Sequence, residues 1–226
     1  MLLSTSSLIF VFFVLNLVRW FIMEFGAYMS GFDGDVIWGM SYIKATSDHW
    51  SWNQVMWIYF APYIALLFLF AITNWRRKYP SSIAPWLQLI QSWAFLLLAL
   101  YVFFMPLIEV LTQQGIYYAL SWLGIGRYLQ VTFGILMFMF FIYKAFNVSA
   151  LFSTLLKVSV NKLITPKKVL VQLPIIWYIP ITLLTAVVYL SSNYTIPIDF
   201  IYFLSGMTLV MICNTWLISR YDVVIS

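Results

Sequence analysis

The stretch "SLIFVFFVLNLVRWFIMEFGA" (residues 7–27) decides the fold class of this chain. It is an almost unbroken apolar run of about 20 residues, the length at which an α-helix crosses the hydrocarbon core of a bilayer. Two opposite charges, Arg19 and Glu24, interrupt the run. A charge at membrane depth costs roughly 2.5 kcal/mol or more, so these residues mark either a structural pair or a functional site.

Similar apolar runs recur along the chain, which is 64% hydrophobic and only 8% charged. A typical soluble domain has about 25% charged residues, and this chain has far fewer. The chain is therefore predicted to be all-α, a polytopic helical membrane protein with a single transmembrane domain over residues 1–226. About six spans are predicted, at residues 7–27, 54–74, 86–108, 128–147, 169–190 and 198–218. Kinks are expected at Pro62, Pro174 and Pro180.

Loop charges predict the orientation of these spans. Six spans place the basic loops on one side and the acidic loops on the other, and the positive-inside rule then puts the N- and C-termini in the cytoplasm. This arrangement predicts an integral protein of the bacterial inner membrane. A basic amphipathic segment after span four is expected to lie on the anionic lipid surface of the cytoplasmic leaflet. Its lysines are Lys157, Lys162, Lys167 and Lys168.

The charged residues Arg19 and Glu24 are five positions apart on one predicted helix. At about 100° per residue their directions differ by about 140°, so they do not share the face used by i,i+4 pairs. Glu109, at the outer end of span three, is a candidate partner for Arg19. Arg19, Glu24 and Glu109 are therefore candidates for one of three roles. They could provide a structural charge pair, a partner-docking site, or a site for ion or proton movement.

The segment "MEFGAYMSG" (23–31) resembles a motif of site-2-protease-like membrane metallopeptidases, through Glu24, Gly26 and Tyr28. In that family two histidines, four positions apart on one helix face, bind zinc, and the glutamate between them activates water. Met23 and Ala27 occupy the histidine positions here, and neither side chain is a suitable zinc ligand. The resemblance implies a degenerate relative that has kept the helix without its metal.

Residues suited to cofactor chemistry are scarce. His49 is the single histidine and Cys213 the single cysteine, and two such distant residues cannot supply the usual ligand sets of zinc, haem or iron–sulfur clusters. Phosphate-binding and dinucleotide-binding motifs are missing from the sequence. We therefore expect no cofactor, no metal and no catalytic residue. The net charge of +5 lies mainly on the predicted cytoplasmic loops, which argues against nucleic acid as a partner.

These observations favour a non-catalytic integral membrane subunit of a larger, hetero-oligomeric membrane complex over an enzyme. Its partners would be the lipid bilayer and other membrane proteins, against which its abundant aromatic residues could pack. Two alternatives stay open: a small-solute or ion transporter or channel with Arg19 at its site, and a degenerate membrane metallopeptidase-like protein.

Overall fold

A computed structural model describes residues 2–31, 51–77, 85–160, 179–190 and 198–220 of the chain. Within these ranges the secondary structure is helical, so the all-α prediction is confirmed. Two short segments, named π1 and π2, have the wider π-helical hydrogen-bond pattern. In chain order the elements are α1 (Leu2–Met29), α2 (Trp52–Val55), π1 (Met56–Phe60), α3 (Ala61–Arg77), α4 (Pro85–Ala99), π2 (Leu100–Phe104), α5 (Met105–Thr112), α6 (Ile116–Trp122), α7 (Arg127–Val160), α8 (Ile179–Leu190) and α9 (Ile198–Arg220).

Among the described residues, four helical stretches are long and apolar enough to cross a membrane, which is compatible with a membrane location. They agree within a few residues with the first four predicted spans and cover Thr5–Met29, Trp52–Trp75, Trp86–Thr112 and Arg127–Ala145. The shorter apolar helix α8 coincides with the second half of the predicted span at 169–190, whose first half lies outside the described residues together with Pro174. Helix α9 covers the predicted span at 198–218. The count of six spans and the cytoplasmic termini stay predictions.

The chain divides into two compact units, and each has its own buried side chains. The terminal unit comprises Met1–Phe12, Thr73–Leu97 and Ile142–Ser226, and the Arg19 unit comprises Phe13–Ile72 and Leu98–Phe141. The prediction of one transmembrane domain over residues 1–226 stays a prediction.

Aromatic rings pack inside the terminal unit. Phe12 of α1 meets Phe200 and Phe203 of α9 edge to face, with ring centroids 5.9 and 5.5 Å apart. This geometry brings the positive edge of one ring to the negative face of another. The buried hydroxyl of Ser92 donates to the main-chain oxygen of Gln88 at 2.6 Å, so it adds no unsatisfied polar group to α4.

An apolar cluster of the Arg19 unit joins α1, α2, π1 and α6. Its buried members are Met23, Ala27, Val55, Ile58, Tyr59 and Ala119. The backbone of α1 comes very close to π1 here, because a Cβ atom added to Gly26 would lie 3.0 Å from the main-chain oxygen of Trp57. Small residues permit such close approach between apolar helices. Gly26 and Ala27 of the "MEFGAYMSG" segment therefore have packing roles.

A second group of rings in the Arg19 unit packs along π2. Phe103 lies 4.8 Å from Phe70 of α3 and 5.1 Å from Phe140 of α7, measured between ring centroids. Phe104 lies 5.3 Å from Phe141. These rings fix π2 between α3 and α7.

Each π-helical segment is followed, two residues on, by a proline. The sequences are "MWIYFAP" (56–62) and "LYVFFMP" (100–106). Both consist of aliphatic and aromatic residues followed by proline. Proline has no N–H, so the carbonyl four residues earlier loses its usual α-helical donor. The expected irregularity at Pro62 takes the form of π1, and Pro106, which the sequence analysis did not consider, accompanies a second irregularity of the same kind.

Candidate functional site

A small polar cavity lies inside the Arg19 unit. Its polar lining consists of Arg19, Tyr59, Tyr63, Tyr101 and Glu109, and apolar side chains complete the wall. The cavity has a volume of about 30 Å³. Since about 10–15 Å³ is enough for one water molecule, it has room for one or two.

Arg19 and Glu109 form an ion pair at this cavity. The Nη2 atom of Arg19 lies 3.6 Å from the Oε1 atom of Glu109, and the two side chains are only 17% and 13% exposed. This separation allows strong electrostatic attraction in apolar surroundings but exceeds a hydrogen-bond length. The guanidinium also lies 5.9 Å from the ring centroid of Tyr101, within the range of a cation–π interaction.

The turn between α5 and α6 holds the carboxylate of Glu109 in place. Its Oε2 atom accepts the main-chain N–H of Ile116 at 2.8 Å, at the first residue of α6. Gly115 adopts φ +52°, a conformation that side chains rarely allow, and a Cβ atom there would overlap the Glu109 carboxyl group. The carboxylate therefore occupies space that only glycine leaves open.

Tyr101 of π2 is held at the cavity by α1. The amide group of Asn16 meets the Tyr101 hydroxyl with its nitrogen at 3.1 Å and its oxygen at 3.3 Å. Asn16 and Arg19 are three positions apart and so lie on one face of α1. One face of α1 thus contacts Tyr101 through a hydrogen bond and through a cation–π interaction.

Tyr63 provides a hydrogen-bond donor to a backbone carbonyl group of π2, the segment that precedes Pro106. Its hydroxyl donates to the main-chain oxygen of Val102 at 3.2 Å. The normal α-helical donor to that oxygen would be the N–H of residue 106, which Pro106 lacks. The tyrosine replaces this donor, as neighbouring helices do where proline interrupts a membrane helix.

Both π-helical segments border the cavity, with Tyr59 supplied by π1 and Tyr101 by π2. Single π-helical turns inside α-helices are frequent at functional sites. Sequence reasoning did not select Tyr59, Tyr63 or Tyr101. The signal that could have found their neighbourhood is the recurrence of an aromatic run that ends in proline.

Of the three predicted charged candidates, the structure brings Arg19 and Glu109 together and leaves Glu24 exposed on α1. Met23 and Ala27, at the ligand positions of the metallopeptidase motif, are 2% and 3% exposed and face the apolar cluster. Among the residues with a described structure, no group of three or more potential metal ligands comes together.

The predicted lipid-surface lysines fall largely beyond the described part of the chain. Lys157 lies in α7, and Lys162, Lys167 and Lys168 lie outside the described residues, as does His49. The prediction of a basic lipid-binding surface therefore stays a prediction.

A second arginine of the Arg19 unit, Arg127, has defined contacts. Nη1 of Arg127 donates to the main-chain oxygen of Val110 at 2.6 Å, and its guanidinium lies 5.4 Å from the Tyr117 ring centroid. Arginine near a helix C-terminus satisfies carbonyl groups that the helix itself leaves unpaired. Arg127 thus ties the start of α7 to α5.

Chemically, the cavity can hold a charge pair away from bulk water and can bind molecules as small as water. Pockets for organic ligands have volumes of about 300–1,000 Å³, roughly ten times larger or more. Comparison of the chain with protein-family models, with curated proteins and with solved structures finds no match. Function is therefore inferred from the geometry of this chain.

Proposed function

We propose that the chain is a non-catalytic integral membrane subunit of a larger membrane protein complex. The observation that carries this proposal is the engagement of the buried charges with structural partners. Arg19 pairs with Glu109, and Glu109 also receives the N–H of Ile116. Charges used in this way stabilise a helix bundle and leave no buried nucleophile–base pair or ligand set at the cavity.

The proposal includes six spans with both termini in the cytoplasm of a bacterial inner membrane. Four long apolar helices and the apolar helices α8 and α9 support the count. The grouping of basic residues in the loops after spans two and four supports the orientation.

Large exposed side chains on α1 and at the start of α7 support a role in which other apolar surfaces surround the chain. Examples are Phe21, Phe25 and Tyr128. Phe21 and Phe25 stack with ring centroids 6.5 Å apart, so they present one continuous aromatic surface. Aromatic residues are enriched in protein–protein interfaces, and membrane-protein partners are therefore proposed alongside lipid.

The test is purification in mild detergent at native expression level, followed by quantitative mass spectrometry of the co-purifying proteins. We expect at least one membrane protein in fixed stoichiometry, and Arg19→Leu should reduce the recovery of the assembly together with the folded chain. Recovery of the chain alone, or only as copies of itself, would contradict the proposed role.

The proposed topology has its own experiment. Reporter fusions after Lys78, Ser192 and Ser226 should report the inside, the outside and the inside of the membrane. An outside signal after Lys78 would overturn the orientation, and an inside signal after Ser192 would overturn the count of spans.

A small-ion transporter or channel is the second candidate. The observation that favours it is the convergence of five polar side chains and two π-helical segments on one water-sized cavity. Purified protein in liposomes would distinguish the candidates: Arg19→Leu with normal folding and assembly but lost ion flux supports transport, whereas loss of folding or assembly supports the structural role.

A further inference from the structure

The guanidinium of Arg19 has more hydrogen-bond donors than the surrounding protein uses. An arginine carries five N–H donors and no acceptor. In the part of the chain that the structure describes, the nearest anionic oxygen, on Glu109, is 3.6 Å away, and no acceptor makes a hydrogen bond to this side chain. The Tyr101 ring offers electrostatic attraction but no oxygen aimed at an N–H. A largely buried cation in this position still requires acceptors.

The cavity lies against this side chain, and water molecules bound in it can supply the acceptors. A buried water needs about 10–15 Å³ and two to four polar partners, and the cavity offers about 30 Å³. The carboxylate of Glu109 and the hydroxyl of Tyr63 also line it. The Tyr63 hydroxyl donates its proton to Val102, so its oxygen can accept a hydrogen bond from a water molecule.

We infer that this cavity is a binding site for one or two ordered water molecules that accept hydrogen bonds from Arg19 and bridge it to Glu109. A water molecule converts the 3.6 Å contact into a continuous hydrogen-bond chain. A small anion fits less well, because the Glu109 carboxylate lines the same cavity. This inference goes beyond the proposed function and does not depend on it.

Hydroxyl-radical labelling by a short X-ray pulse tests the inference on the full chain in lipid nanodiscs. Radicals generated from bound water oxidise the side chains next to it, and methionine sulfur reacts readily. Met23 lines the cavity and is 2% exposed, whereas Met105, in the same unit, is 3% exposed and does not line it. We expect several-fold faster oxidation of Met23 than of Met105. Equal rates at the two methionines would overturn the inference.

A cavity-filling pair of variants separates bound water from general exposure of α1. Leu66 lines the cavity, and its neighbour Leu67 does not. Leu66→Phe should lower the oxidation rate of Met23 toward that of Met105, and Leu67→Phe should leave the ratio unchanged. Folding of both variants is checked by size-exclusion chromatography, and the wild-type comparison remains decisive if either fails to fold. An unchanged ratio in folded Leu66→Phe would overturn the inference.

The occupant is distinguished by changing the salt. Replacing chloride with gluconate should leave the Met23 labelling rate unchanged, because water is present in both buffers. A several-fold rise in that rate without chloride would identify an anion as the occupant and overturn the assignment to water.

Discussion

Two arginines of the Arg19 unit contact neighbouring residues of α5, yet their surroundings differ. Arg19 pairs with the Glu109 carboxylate at 3.6 Å and lies 5.9 Å from the Tyr101 ring centroid. Arg127 donates to the main-chain oxygen of the next residue at 2.6 Å and lies 5.4 Å from a second tyrosine ring. Arg19 is 17% exposed, whereas Arg127 is an exposed residue.

The difference shows that short distances alone do not rank interactions. Arg127 has the shorter contacts, but its side chain is exposed, and exposed charge contacts contribute about 0–1 kcal/mol. Arg19 has the longer contact, and losing its partner would leave a charge in apolar surroundings, which is costly. The Arg19 region should therefore be the more sensitive of the two to substitution.

The largest expected effect belongs to Arg19→Leu, which leaves the Glu109 carboxylate buried without its cation. Breaking a buried pair in this way typically costs about 3–5 kcal/mol of the free energy of unfolding. Thermal unfolding in detergent and the yield of folded protein provide the measurement. Arg127→Leu is the matched control, and equal losses in both variants would contradict the ranking of the two regions.

Gly115→Ala should have the next largest effect. The new methyl group would overlap the Glu109 carboxyl group at a backbone φ of +52°. Strain of this kind costs about 2–3 kcal/mol. Gly124, in the turn before Arg127, has φ +72° and open space around it, so Gly124→Ala should cost only about 1 kcal/mol. A similar loss of thermal stability in both variants would show that the carboxyl group is not held against Gly115.

A double substitution sharpens the assignment of the pair. Glu109→Gln removes the charge but keeps a side-chain oxygen for the N–H of Ile116. Combined with Arg19→Leu, it should recover part of the stability lost by Arg19→Leu alone, with a coupling of about 1–3 kcal/mol. The four unfolding free energies of the cycle give this coupling, and strict additivity would mean that the two side chains do not interact.

Tyr63→Phe should cost about 1 kcal/mol, because the Val102 oxygen loses the hydroxyl that replaces the missing donor at Pro106. Tyr128, beside Arg127, is strongly exposed, so Tyr128→Phe should not change the unfolding temperature measurably. If Tyr63→Phe has equally little effect, Val102 does not depend on the tyrosine.

Among the contacts compared, the smallest effect is expected for the loss of the Arg127 guanidinium in Arg127→Leu, at about 0.5 kcal/mol. Its guanidinium is exposed and donates to one main-chain oxygen near the end of α5, and added salt should reduce even this contribution. Thermal unfolding at low and high ionic strength is the measurement. A salt-independent loss as large as that of Arg19→Leu would show that Arg127 is buried in the assembled protein.

The first four apolar helices could be predicted from the sequence because each apolar run has the length and composition that a membrane-spanning helix needs. The run at 128–147, for example, lies close to the helical stretch Arg127–Ala145. Hydropathy, however, does not distinguish an α-helical from a π-helical turn, so π1 and π2 were not foreseen. Pro106 indicates an interruption of the regular α-helical hydrogen bonds in the same way as Pro62.

The candidate site was predictable only as a set of charged residues. The sequence offered Glu24 and Glu109 as carboxylates near Arg19, and helical geometry disfavoured Glu24. The pairing with Glu109 depends on how α1 packs beside α5, which no local pattern determines. The three tyrosines at the cavity are chemically ordinary in the sequence, and only the packing of π1, α3 and π2 around the cavity brings them together.

The Arg19–Glu109 pair has a consequence for the synthesis of the protein. Glu109 is made 90 residues after Arg19, which at about 5–20 residues per second takes roughly 5–20 s. During that interval the first helix exists without the carboxylate that neutralises it. In the proposed membrane arrangement, the long side chain of an unpaired arginine can extend to the interface and keep its charged end in water. The Arg19–Glu109 pair can form only after the third apolar stretch has left the ribosome, so the order of synthesis limits when this contact is made.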